Sequence, residues 1–190
     1  MTKPRGQTQK DIIDVAIKTF LRFGTRKTSM NDIASEAGVS RQTLYDLFGN
    51  KDGLICACIR AVSDDSLANI QKQTKAMNAL SDKLDVYFDE NVVKGFEMLQ
   101  SSVDIQDLVS HHNKAGQAEI LETKHKNEAL LSFWLEPHAD ALKEMGHGVQ
   151  SLANFFVTIS LTLKYEASDR ADLDTLMKSL KRLILSASGV

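Results

Sequence analysis

Apolar side chains recur with a helical period along almost the whole chain. In the first segment Ile13, Ala16, Ile17 and Phe20 stand at i, i+3, i+4 and i+7, which lines one face of a helix. Thr8 and Asp11 form a capping pair ahead of them, and Gly24 is a C-terminal stop. After the basic link TRKTS, Ser29 and Asp32 are placed to cap a second, short helix ending at Ala37, with Gly38 free to take a positive φ. A third helix is expected from Ser40 to near Phe48. Asn50 then caps a fourth, which starts at Lys51 and runs into the seventies.

Further helical segments are expected at roughly 81–100, 104–114, 117–146, 149–167 and 171–188. Pro137 should break the third of these, because it lacks an N–H and crowds the carbonyl four residues back. MGHG at 145–148 and SDRADLD at 168–174 read as turns. No segment alternates as a strand would, and none repeats. The expected fold is all-α with about nine helices: a three-helix head over 1–50 and a larger helical body over 51–190.

Composition adds limits. Two prolines and ten glycines in 190 residues are few for a loop-rich β fold. No apolar run reaches about 18 residues, so no membrane span is expected. The start MTKPRGQTQKDII lacks the apolar stretch of a secretory signal, which makes the cytoplasm the expected compartment. Cys56 and Cys58, in LICACIR, fit neither a redox CxxC pair nor half a zinc site, and read as structural thiols. Charge is uneven: residues 1–51 hold nine Lys+Arg against five Asp+Glu, whereas residues 52–190 hold 14 against 20. A basic end on an acidic remainder suits contact with a polyanion.

The stretch SMNDIASEAGVSRQTLYDLFGNKDGL gives that contact a shape. Two short helices crossing steeply need a small residue at the contact, which Ala34 supplies. Four residues on, Gly38 suits the turn, and six further Leu44 points back into the head. With Leu44, Leu47 and Phe48 turned inward, Arg41, Gln42, Tyr45 and Asp46 are left facing outward, with Arg41–Tyr45 and Gln42–Asp46 adjacent at i,i+4. Arginine can fork onto guanine, glutamine onto adenine, and the methyl of Thr43 can meet thymine. Ser40 at a helix N-terminus and Lys51 at the next helix start favour phosphate. The N-terminal Lys3, Arg5 and Lys10 offer an arm that could add phosphate or minor-groove contacts.

At these residues the sequence resembles the DNA-binding head of the tetracycline-repressor (TetR) family. Ile33, Ala34, Ala37, Gly38, Val39, Ser40, Thr43, Leu44, Tyr45, Phe48, Lys51 and Leu54 follow the family pattern in order, and the resemblance covers roughly residues 8–60. It implies DNA contacts from Thr28, Ser40, Arg41, Gln42, Thr43, Tyr45 and Lys51. Gln42 stands where the family often has glycine, and Asp46 where it commonly has an aromatic or basic residue. An acid there is repelled by phosphate unless it accepts from cytosine or holds Gln42 or Arg41 in place; the orienting role is favoured.

In the body, the segment VQSLANFFVTISLTLKY is apolar on most sides and must be covered on several of them. Being the central helix of one subunit would explain this. So would a homodimer, and the resemblance implies that the last two helices of each chain form a four-helix bundle. Phe156, Leu163, Leu176, Leu180, Leu183 and Ile184 are the expected dimer residues. A twofold pair of heads matches a palindromic DNA operator. For a small apolar or aromatic effector, Phe88, Phe96, His111, Phe133, Trp134 and Phe155 are candidates, with Tyr87, His112, Asn113 and His125 beside them. The histidines lack a metal-ligand spacing, no cofactor or catalytic fingerprint is present, and neither metal, cofactor nor enzyme activity is expected. The expected function is a dimeric transcriptional regulator, a repressor released by an effector; the alternatives are a DNA-binding organiser without an effector, and a helical enzyme or metal carrier.

Overall fold

The computed structural model describes residues 5–100 and 114–190, and every regular element among them is helical. The expected segment at 104–114, all but its last residue, and His111, His112, Asn113 and Lys3 with it, lie outside the described residues. Helix α1 spans Arg5–Phe23, α2 Met30–Glu36, α3 Arg41–Phe48 and α4 Lys51–Thr74. Helix α5 (Leu80–Phe88) passes through a π turn, Asp89–Val93, into α6 (Lys94–Gln100). Helix α7 is Lys114–Leu135, a 3-10 turn follows at Glu136–His138, and α8 (Ala139–Glu144), α9 (Val149–Glu166) and α10 (Arg170–Ala187) complete the order. None of these helices is long and apolar enough to cross a membrane.

Two differences from expectation have physical causes. Helix α1 begins at Arg5, upstream of the Thr8–Asp11 pair expected to cap it. Pro4 precedes it in sequence, and proline suits the start of a helix. The expected helix at 81–100 is interrupted by the π turn, where the Lys94 N–H reaches back five residues to the Asp89 carbonyl. That extra residue lets Glu90, Val92 and Val93 all be buried. Pro137 breaks its segment as expected, inside the 3-10 turn.

The chain divides into two compact units, residues 1–64 with 98–121 and residues 65–97 with 122–190. In the first, Ile12, Ala16 and Phe20 of α1 pack on Met30, Ile33 and Ala34 of α2, on Leu44 of α3 and on Leu54 and Cys58 of α4. Burial pushes the Cys58 thiol up to about 12 and raises Cys56 as well, so both stay protonated and unreactive. Gly38 takes φ +64° with nothing near the place of a Cβ, so backbone torsion rather than space calls for glycine there.

In the second unit, Tyr87, Phe88 and Phe156 meet at the centre with ring centroids 5.3–6.4 Å apart. Around them pack Leu84, Leu131, Leu135 and Leu173, all with no exposed surface. This corrects part of the dimer expectation. Phe156, Leu163, Leu180 and Ile184 are buried in their own unit's core and leave no surface to offer a second subunit, while Leu176 is half-buried and Leu183 is 62% exposed. The effector candidates divide too. Phe88, Phe96 and Trp134 are buried core, whereas Phe133 is 76% and Phe155 47% exposed, so neither lines an enclosed interior site.

The buried Glu90 and Asn127 side chains of this unit have polar partners. The Glu90 carboxylate accepts from Lys94 Nζ at 2.5 Å, Gln73 Nε2 at 2.8 Å and Asn69 Nδ2 at 3.4 Å. Burial alone would raise its pKa; these donors reverse that and hold it below the usual value of 4.5. Asn91 Nδ2 donates to Asn127 Oδ1 at 2.9 Å, and Ser66 Oγ to Asn91 Oδ1 at 2.8 Å.

Candidate nucleic-acid interface

Local signals build the two crossing helices. At α2 the capping box closes: Ser29 N donates to Asp32 Oδ2 at 2.8 Å and Asp32 N to Ser29 Oγ at 3.2 Å. The Ser29 hydroxyl adds a bond to the same carboxylate, and these donors lower the Asp32 pKa. At α3 the Ser40 hydroxyl accepts from Thr43 N at 3.0 Å and meets the Thr43 hydroxyl at 2.8 Å. The Ser40 side chain is therefore committed to its own helix, and it leaves the Arg41 and Gln42 N–H groups of the first turn for an anion.

Leu44 has no exposed surface and fixes which way α3 turns. Leu47 and Phe48 are half-buried against the same core. Arg41, Gln42 and Asp46 are exposed, and Thr43 and Tyr45 are half-buried. The Arg41 guanidinium lies 5.2 Å from the Tyr45 ring centroid, with Nη2 3.5 Å from the phenol oxygen. Gln42 Nε2 donates to Asp46 Oδ1 at 2.7 Å. That bond orients the amide while leaving its second N–H and its carbonyl oxygen for other partners.

Two residues stand apart from expectation. Thr28, a DNA contact by resemblance, is 2% exposed, and its hydroxyl donates to the Gly24 carbonyl at 2.7 Å. It ties off the end of α1 and has no surface for a phosphate. Gly53 was not singled out by the sequence pattern, yet a Cβ there would lie 2.1 Å from the Phe48 carbonyl oxygen. The tight corner between α3 and α4 depends on that glycine. It places Lys51, half-buried at the first position of α4, directly after the recognition helix.

Residues 12–58 match the family model described as bacterial regulatory proteins, tetR family. That stretch is a DNA-binding head of this family. Over its length it is similar to the HTH-type transcriptional regulator YezE of Bacillus subtilis (strain 168), with 22% identity over 87% of this chain and 88% of that protein. The probable acrEF/envCD operon repressor of Escherichia coli (strain K12) is 42% identical over 48 residues, a match confined to 25% of this chain and 22% of that one. Among solved structures, the fatty acid degradation regulator FadR from Bacillus halodurans shares the fold with a TM-score of 0.73 at 18% identity, over 96% of this chain and 97% of that one. Residues 12–58 thus form a helix-turn-helix DNA-binding head of the tetR kind, with α2 and α3 as its motif.

Proposed function

We propose that the chain works as a homodimeric repressor: two heads place α3 in successive major grooves of a palindromic operator, and a small molecule bound within residues 51–190 releases them. The observation that carries the DNA reading is the orientation of α3, with Leu44 wholly inside and Arg41 and Gln42 in solvent. Arg41 and Gln42 would read base edges, Thr43 and Tyr45 would add methyl or phosphate contacts, and the first-turn N–H groups behind Ser40, with Lys51, would hold the backbone. Repression is supported by the similarity to the Escherichia coli relative, a probable operon repressor.

Release requires the effector to bind the non-DNA state better, since equal affinity for both states shifts nothing. Helix α4 is the natural coupler, because Lys51 opens it and Leu67, Gln71 and Thr74, near its other end, border a groove. One observation favours an organiser without an effector: Tyr87, Phe88 and Phe156 fill the centre of the second unit. Ligand-independent DNA affinity would decide for that second reading.

The test is fluorescence anisotropy of the full chain on duplexes from the region upstream of its own gene. Between 50 and 200 mM salt the affinity should fall about 10³-fold or more, and Lys51→Ala should lower the log–log slope by about 1. An affinity indifferent to salt overturns the proposal.

A further inference from the structure

The second unit carries a surface groove of about 620 Å³ between α4, α5 and α7. Its walls are Leu67, Met77, Leu130, Phe133 and Trp134. Phe133 is 76% exposed, an expensive position for a phenyl ring with nothing over it. Lys75, Lys83 and Lys126 also line the groove, and no acidic side chain does. That charge pattern runs against its surroundings, because the unit as a whole holds 12 Lys+Arg against 15 Asp+Glu.

We propose that this groove binds an amphipathic anion: a hydrocarbon body laid along Leu67, Met77, Leu130 and Phe133, with a carboxylate head among the lysines. The assignment rests on the effector reading above and names the chemical class of that effector. An aliphatic floor favours a hydrocarbon chain over a sugar or a peptide backbone, since nothing but Gln71 and Thr74 offers it uncharged polar side chains. The volume falls within the range of small-molecule sites, and lysine supplies the point charge that fixes one end.

Trp134 is the single tryptophan of the chain and lines the groove, so tryptophan fluorescence has one source and it lies at this site. The full chain is titrated, without DNA, with decanoate below its micelle threshold, with decanol and with acetate. Decanoate should change Trp134 emission saturably, decanol should bind at least tenfold more weakly, and acetate should do nothing. The double variant Lys75→Gln, Lys83→Gln should weaken decanoate at least tenfold and leave decanol unchanged. Equal affinity for decanol and decanoate, or indifference to the double variant, overturns the proposal. So does Trp134 emission that depends on protein concentration and ignores decanoate, which would mean a second copy covers the groove. The anisotropy assay then separates the two readings: decanoate binding without release from DNA upholds the groove and removes its role as effector site.

Discussion

Side by side on α3, Gln42 and Asp46 carry the choice between reading a base and repelling a backbone. The 2.7 Å bond between them supports the orienting role for the carboxylate, since a free Gln42 amide would sample several rotamers before meeting a base. Asp46→Ala should therefore broaden sequence preference, lowering discrimination at the base Gln42 reads by about tenfold. Selection from a randomised duplex library measures this, and uniformly tighter binding to every sequence would show Asp46 to be a repulsive bystander. Much at this scale was legible in the sequence, because caps and i,i+4 pairs are local: Ser29 with Asp32, Arg41 with Tyr45, Asn50 ahead of α4. Thr28 was not. A threonine in a basic link reads as surface, and only the shape of the corner after α1 turns its hydroxyl onto the Gly24 carbonyl.

Among the elements, the helix from Leu80 to Gln100 is the instructive case. Its apolar period is continuous enough to read as one helix, and a single inserted residue, absorbed as a π turn, leaves no mark in that pattern. What the turn gains is a buried carboxylate with three donors around it. The pKa of Glu90 is lowered on folding, so its stabilisation is complete above the unfolded value of 4.5 and is lost as pH falls through the lower folded value. Glu90→Gln should cost about 2 kcal/mol at neutral pH and flatten the acid limb of the stability curve below pH 4.5, as urea denaturation across that range would measure. Breaks set by chemistry rather than packing were readable in advance: Pro137 ends α7, and Gly38 separates α2 from α3.

For the molecule as a whole, the sequence told which helices are apolar but not which side of each is spoken for. Helix α9 is apolar nearly all round, and one chain's core already takes Leu152, Phe156, Val157 and Leu163. Facing outward are Phe155 and Tyr165 on α9 and Leu183 on α10, at 47%, 45% and 62% exposure. The dimer proposal therefore rests on these side chains rather than on the buried ones. Leu183→Glu should weaken self-association at least ~100-fold and carry affinity for a palindromic duplex down with it, while leaving thermal stability of the unit intact. Light scattering across a concentration series measures the first effect, and a wild-type chain that stays monomeric at micromolar concentration would end the dimer reading.

The π turn also sets a boundary on how this chain can vary. Deleting one residue from Asp89–Val93 would restore ordinary winding and keep the helix after it on its present face, because the turn absorbs one extra residue. Phe96, now 5% exposed, would stay inside, and the loss would fall within the turn, where Glu90, Val92 and Val93 could no longer all be buried. A shortening by one in that turn should therefore strip the Glu90 carboxylate of its setting while sparing the packing of α6.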